Sequence, residues 1–335
     1  MTEPISGSTQ SEAEFTRASR SVNSYAQHVA GAAVAESGMV QLGKGAVSRK
    51  SLRAMSQDAA ILRMEYDRET TTHLVPGQGW VAFTYPLSWS GDYTLNGRHA
   101  SPGDIALFTP RLGYVSQGKD VISCGAGFKT DRLINEISAL SGQDTDESQL
   151  TDDFLDLKSA SGIDVQRRIN RVLSFCLDQE LRGDHYGMPE VAENALYEIA
   201  AQAVLAQSVF SPESGHKRRS DLAIVRRAVE IANDIETPVT LSDLCRAAGV
   251  GHTRLSESFA SIHGVSPIQY IKRMRLEKAK DRLLDPYNPP NSIKDVSLQF
   301  GFMNGGRFSG DYRSLFGEAP HETLKRSQRI LRSDN

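Results

Sequence analysis

The last third of the chain repeats itself, and this repeat restricts what that part can fold into. Asp243, Leu244 and Gly249 recur as Asp295, Val296 and Gly301 at an offset of 52 residues; Leu255, Phe259, Gly264 and Pro267 recur as Phe308, Tyr312, Gly317 and Pro320 at an offset of 53. The second copy thus has one extra residue in its turn. Each copy predicts a short helix (Leu241 to Ala248, Ile293 to Phe300), a glycine that ends it, and a second helix. Gly249 and Gly301 are expected at positive φ, turning the chain so that the next helix crosses the first. Leu255 and Phe259, like Phe308 and Tyr312, stand four apart and share a helix face. They are expected to point inward, leaving the other face of each second helix free.

Between the copies, Pro267 to Leu284 reads as one helix opened by proline in its first turn, with Ile271, Met274, Leu276, Ala279 and Leu283 for the core. Its length, about 27 Å, is comparable with a DNA turn of roughly 34 Å. Two helices at the ends of such a rod suit successive major grooves on one face of a duplex. Charge agrees. The whole chain is at -3, but from Lys217 to Asn335 it carries 20 Lys and Arg against 14 Asp and Glu, a net +6; residues 1–216 carry 18 against 27, a net -9. The basic end is the one expected to meet phosphate.

The remainder predicts an α+β chain of two domains. Residues 1–20 are rich in Ser, Thr and Glu and are expected to be disordered. From Val40 to Lys129, short apolar stretches alternate with turn signals such as Val75-Pro76-Gly77 and Pro102-Gly103-Asp104, the pattern of a small antiparallel barrel or sandwich. Asn96-Gly97 predicts a hairpin between Tyr93-Thr94-Leu95 and the run ending in Ile105-Ala106-Leu107-Phe108. Between Ile163 and Phe210 the period becomes helical, over Val172, Leu173, Cys176 and Leu177 and again over Ala195, Leu196, Ile199, Ala200 and Ala203. These two helices are expected to pack on the β domain, with pairing across a homodimer as the alternative. Residues 21–210 form the first expected domain, 211–220 a linker and 221–335 the second.

No run of 18 apolar residues occurs and the amino terminus is polar, so no membrane partner and a cytoplasmic location are expected. Cys124, Cys176 and Cys245 are far apart, which predicts buried reduced thiols. His73 and His99 are isolated, with no His-x-His pair; no metal, no cofactor and no catalytic residue are expected.

The blocks Leu244 to Val250, Leu255 to Pro267, Arg273 to Leu276, and Gly301-Phe302 with Arg307-Phe308 to Pro320 resemble the AraC/XylS transcription regulators, over about Leu222 to Arg326. Within that family the second copy is similar to a subgroup that includes ethanolamine-operon-type activators. The resemblance implies a cupin-like N-terminal β barrel that binds a small-molecule effector or dimerises, and a C-terminal all-α domain of two helix-turn-helix units joined by a long helix. It further implies promoter DNA and RNA polymerase as partners. Carried over by position, base contacts fall to Thr253, Ser256 and Glu257 in the first unit and to Asn304, Gly306, Arg307 and Gly310 in the second. Glu257 and Gly310 stand where the family often has Arg; a Glu accepts from cytosine N4 rather than donating to guanine. Arg307 is the candidate for bidentate guanine recognition, and Arg273 and Arg275 are candidates for phosphate contact. For the effector, Trp80, Phe83, Tyr85 and Trp89 are candidate cavity-lining aromatics, with Arg98 beside the hairpin for an anionic group. A nonspecific architectural DNA binder is the alternative reading, and a cupin enzyme a more distant one.

Overall fold

The computed structural model describes residues 33–147, 150, 153–155, 157, 159–182, 187–206, 215–233, 239–285 and 288–333. The segment 1–20, expected to be disordered, lies outside them.

Among the described residues nine strands form one antiparallel sheet: β1 (Val34–Gln41), β2 (Arg49–Met55), β3 (Ala59–Tyr66), β4 (Thr70–Pro76), β5 (Trp80–Leu95), β6 (Arg98–His99), β7 (Ala106–Phe108), β8 (Tyr114–Lys129) and β9 (Asp153–Phe154). Its main path runs β1-β4-β8-β5-β7-β9. β8 is the spine. On one edge its first half pairs with β4 (Thr70 opposite Gly118) and its second half with β3 (Tyr66 opposite Val121), while β5 lies along the other edge. The change of partner falls at Lys119-Asp120, where Asp120 has φ of 49°. Register shifts at Pro86, Ser88 and Ser90 bend β5. Such bulges sharpen twist, and the sheet curls into a half-barrel.

Asn96 (φ 49°) and Gly97 (φ 74°) form the expected two-residue turn. Its return strand, however, is β6, with Thr94 opposite His99. The run that ends in Phe108 instead forms β7 and pairs farther back, at Ala82 to Thr84.

Helices α1 (Thr130–Ser141), α2 (Ser159–Arg182) and α3 (Glu190–Leu205) cover one sheet face. Phe83, Tyr85 and Phe128 meet Leu133, Ile169, Leu173, Cys176, Leu196 and Tyr197 in one buried cluster. Tyr197 locks this layer: its hydroxyl donates to Asp58 O at 2.6 Å and accepts from Lys129 N at 2.9 Å. The two helices expected after Ile163 are therefore core-packed.

Among the described residues seven helices follow: α4 (Gly215–Asn233), α5 (Leu241–Ala248), α6 (His252–His263), α7 (Pro267–Leu284), α8 (Ile293–Gln299), α9 (Gly305–Phe316) and α10 (Pro320–Ser333). The stretch expected as a linker is helical from Gly215 onward, while 211–214 lie outside the described residues. The repeat extends to the caps. Thr240 and Ser292 accept from the N3 amides of α5 and α8, and Gly264 and Gly317, both in the left-handed conformation, end α6 and α9. Ser266 caps α7 with a reciprocal Gln269 bond and Pro267 at its first position.

α7 has no single apolar stripe. Tyr270, Ile271 and Met274 join the cluster formed with α4, α5 and α6, whereas Leu276, Ala279 and Leu283 join the one formed with α8 and α9. At about 100° per residue these two triplets project to roughly opposite sides of the helix. The first cluster also contains Val40, Leu42 and Val115, so the sheet and the C-terminal helices share buried apolar surface.

Candidate nucleic-acid interface

α6 and α9 occupy equivalent places in the two copies. Leu255, Phe259, Phe308 and Tyr312 are all fully buried, as their spacing predicted. On α6 this leaves His252, Thr253, Glu257, Ala260 and Ser261 exposed, with Ser256 half-buried; on α9 it leaves Gly305, Gly306, Arg307, Gly310, Arg313 and Ser314 exposed. Asn304 caps α9, its side-chain oxygen accepting from Arg307 N at 2.9 Å. That bond holds the first turn of α9 while the Arg307 side chain, 80% exposed, projects from it with Nε 4.0 Å from Asp311 Oδ2. Asp311 itself pairs with Lys272 at 2.7 Å and so ties α9 to α7.

Two further exposed residues stand on this surface that are not among the contacts predicted from the sequence. Met303, immediately before the Asn304 cap, is 82% exposed. Arg313, nearly two turns beyond Arg307 and about 120° round α9 from it, is exposed as well. Neither belongs to the repeated positions, so only the sense in which α9 faces solvent reveals them.

The anchoring beneath α6 is polar. Asp221 of α4, almost fully buried, meets Arg254 Nη1 at 2.6 Å and accepts from Ser258 Oγ at 2.9 Å. Beneath α9, Tyr312 donates to Thr323 at 2.9 Å and Arg326 pairs with Glu318 at 2.6 Å.

Arg273 and Arg275 are half-buried, and desolvation draws both below the ordinary guanidinium pKa, with Glu69 opposing the shift at Arg273. Arg275 lies over the α8–α9 turn: a Cβ built on Gly301 (φ 78°) would stand 2.7 Å from its Nη1. Replacing Gly301 by Ala is expected to cost about 1–2 kcal/mol in thermal or denaturant unfolding, because an L-residue is strained at this φ and crowds Arg275. Unchanged stability would show that the turn relaxes.

The five effector candidates do not converge. Phe83 and Tyr85 lie in the cluster under α1–α3; Trp89 packs with Tyr93 (ring centroids 5.8 Å apart) in a separate one. Trp80 carries Lys129 over its ring at 4.8 Å, and Arg98 lies over the Phe154 ring at 4.1 Å. A cleft of about 570 Å³ opens elsewhere, between the sheet and α6, lined by Glu69, Asp92, Thr94, His99, Gln117 and Ser261 among others. None of the five lines it.

Among the described residues no group of three or more His, Cys, Asp or Glu is placed to hold a metal ion, and no helix is long and apolar enough to cross a membrane. The Cys124 thiol is pushed up to about 11 by burial, which keeps it protonated at neutral pH.

Residues 244–326 match the family described as "Helix-turn-helix domain". The chain is 34% identical over 96 residues to the XylDLEGF operon transcriptional activator 3 of Pseudomonas putida, covering 29% of each chain. It is 39% identical over 80 residues to the HTH-type transcriptional regulator ExsA of Pseudomonas aeruginosa, covering 24% of this chain and 28% of that one. The chain thus spans under a third of the length of either relative. A crystal structure of a probable AraC family transcriptional regulator from Rhodopseudomonas palustris CGA009 is 35% identical, over 31% of this chain and 96% of that one, with a TM-score of 0.29.

Proposed function

We infer that this chain, with its AraC-type helix-turn-helix domain at the C-terminus, is a transcription regulator that binds promoter DNA through two helix-turn-helix units, α5–α6 and α8–α9. The observation that carries the reading is the repeated one: two short helices, each capped by a Ser or Thr, deliver α6 and α9 with their aromatic faces buried and their polar faces outward. α7, about 27 Å long, separates them by a distance comparable with a DNA turn of roughly 34 Å. Thr253, Ser256 and Glu257 face one groove and Asn304, Gly306, Arg307 and Gly310 the next. Glu257 selects cytosine; Gly306 and Gly310 let the backbone of α9 approach the duplex closely around Arg307. The relatives named as activators support activation, with RNA polymerase as the downstream partner, and the motif around Gly301-Phe302 and Arg307-Phe308 supports the ethanolamine-operon-type subgroup. A cupin-like N-terminal half, residues 21–210, carries the effector site. A polar cleft touching both the sheet and α6 is suited to a hydrogen-bonding effector that alters DNA binding.

Arg307→Ala tests the assignment. Loss of a bidentate Arg–guanine contact is expected to weaken the specific duplex by about 1–3 kcal/mol and to change random DNA far less, in competition binding at fixed salt. Equal weakening of both would make Arg307 a phosphate contact. Equal affinity of the unmodified protein for both duplexes would favour the architectural reading.

A further inference from the structure

We propose that Gln41 and Glu277 are positioning residues that fix the spacing between the two DNA-reading helices. This rests on the reading of α6 and α9 above. The strand pair β1–β4 and the turn after β1 reach all three helices of that arrangement. At the end of α6, Thr71 Oγ1 and His263 Nδ1 are hydrogen-bonded at 2.9 Å, both buried. In the middle of α7, Glu277, a carboxylate only 6% exposed, accepts from Gln41 N at 3.0 Å and pairs with Arg49 Nη2 at 3.1 Å. At the end of α9, the carbonyl of Leu315 accepts from Gln41 Nε2 at 2.7 Å and from Gly45 N at 2.9 Å. Gln41 thus bonds the connecting helix with its backbone and a reading helix with its side chain.

The last carbonyls of a helix have no partner within it. Here one of α9 finds its partner on a strand about 270 residues earlier. Glu277 is likewise out of character on a helix whose other charges are mostly basic and partly exposed; its cost of burial is offset by direct hydrogen bonds from β1 and β2, with Lys280 of α7 adding electrostatic attraction. α7 has no cluster common to both units, since its two buried triplets face opposite ways. Besides α7 itself, with its Lys272–Asp311 pair to α9, the sheet is what joins them.

One base pair inserted between half-sites displaces the second by about 3.4 Å and turns it by roughly 35°. A rigidly held pair of helices rejects such a site, and a loose pair accepts it with little penalty. The test uses the full chain and a duplex selected from a random library by the unmodified protein, then the same duplex with one base pair added or removed between its half-sites. The unmodified protein is expected to lose about tenfold or more in affinity per shift, and Gln41→Ala and Glu277→Ala less than about threefold. Glu277→Gln, which keeps an acceptor for Gln41 N, is expected to retain most of the discrimination. All are compared on a duplex holding one half-site, where the affinity of Gln41→Ala is expected to be unchanged.

A general loss of stability lowers binding to every duplex in proportion, and that result overturns the proposal, as does a spacing profile unchanged in a folded Gln41→Ala protein or no spacing preference in the unmodified one. If Glu277→Ala does not fold, Gln41→Ala decides alone, since its backbone donor to Glu277 remains. Failure of the underlying reading looks different: the selection then yields no preferred duplex.

Discussion

Inserting two alanines between Arg275 and Leu276 is expected to abolish the proposed bipartite DNA binding while both helical clusters persist. The site is where α7 changes sides: Tyr270, Ile271 and Met274 belong to the first cluster, and Leu276, Ala279 and Leu283 to the second. Two residues rotate everything beyond them by about 200° and advance it by about 3 Å. α9 then points away from the duplex face proposed for α6, and Glu277 leaves Gln41 and Arg49. Losing one unit removes its phosphate contacts and its base contacts together. The expected cost is about 2–4 kcal/mol, roughly 30- to 1000-fold in affinity, and the dependence of binding on salt should fall to about half its slope. Fluorescence anisotropy on the specific duplex at several salt concentrations reads both quantities. If affinity and slope survive the insertion, only one unit engages DNA.

Acid should loosen the contact between the sheet and α6 through His263. This imidazole is buried, stacks on Tyr270 with centroids 4.0 Å apart, and is hydrogen-bonded to Thr71. Burial pushes its pKa down to about 3, with the nearby His73 adding to the shift. The folded state therefore keeps His263 neutral, while the unfolded chain takes up a proton below pH 6.5. Stability is full above 6.5 and falls, as the pH drops from there toward 3, by about 1.4 kcal/mol per unit from this group. Between pH 6.5 and 5 that amounts to about 2 kcal/mol. Glu36, held below its ordinary value chiefly by its hydrogen bond with His73, loses its contribution only under pH 4.5 and does not enter this window. Asp281, which desolvation raises to about 7, gains stability over the same window and opposes His263 in both proteins, so urea unfolding at pH 6.5 and at pH 5 should show a pH dependence that differs between the native protein and His263→Gln by this amount. An identical pH dependence in the two proteins would show that His263 carries no acid sensitivity.

Local chemistry made much of the candidate site legible. α5 and α7 span the residues their periodicity indicated, because a stretch that opens on a polar cap and carries apolar residues at three- and four-residue steps has few alternatives to a helix; a glycine further ends α5, and Pro267 opens α7. The turn at Asn96-Gly97 was equally local. Its partner was not: whether β5 pairs with Arg98–His99 or with the run ending at Phe108 depends on bulges that carry no signature over a few residues. The aromatic segment from Trp80 to Trp89 shows the same limit. Alternation along a strand says that Phe83 and Tyr85 share a face, but which layer covers that face, and that no common cavity joins them to Trp89, follows from the placement of α1–α3.

What the amino-acid sequence by itself determined is the repeat, its helices and its two outward faces, since propensity, capping and a period of 3.6 act between residues a few positions apart. What only the tertiary structure decided is how those faces are held. Glu277 reads as one acid among many bases until β1 brings Gln41 and β2 brings Arg49 to it, and Leu315 has an unpaired helix-end carbonyl until Gln41 and Gly45 arrive. Contacts between residues more than 200 positions apart are set by the packing of whole elements, which buried apolar surface drives and local spacing does not encode.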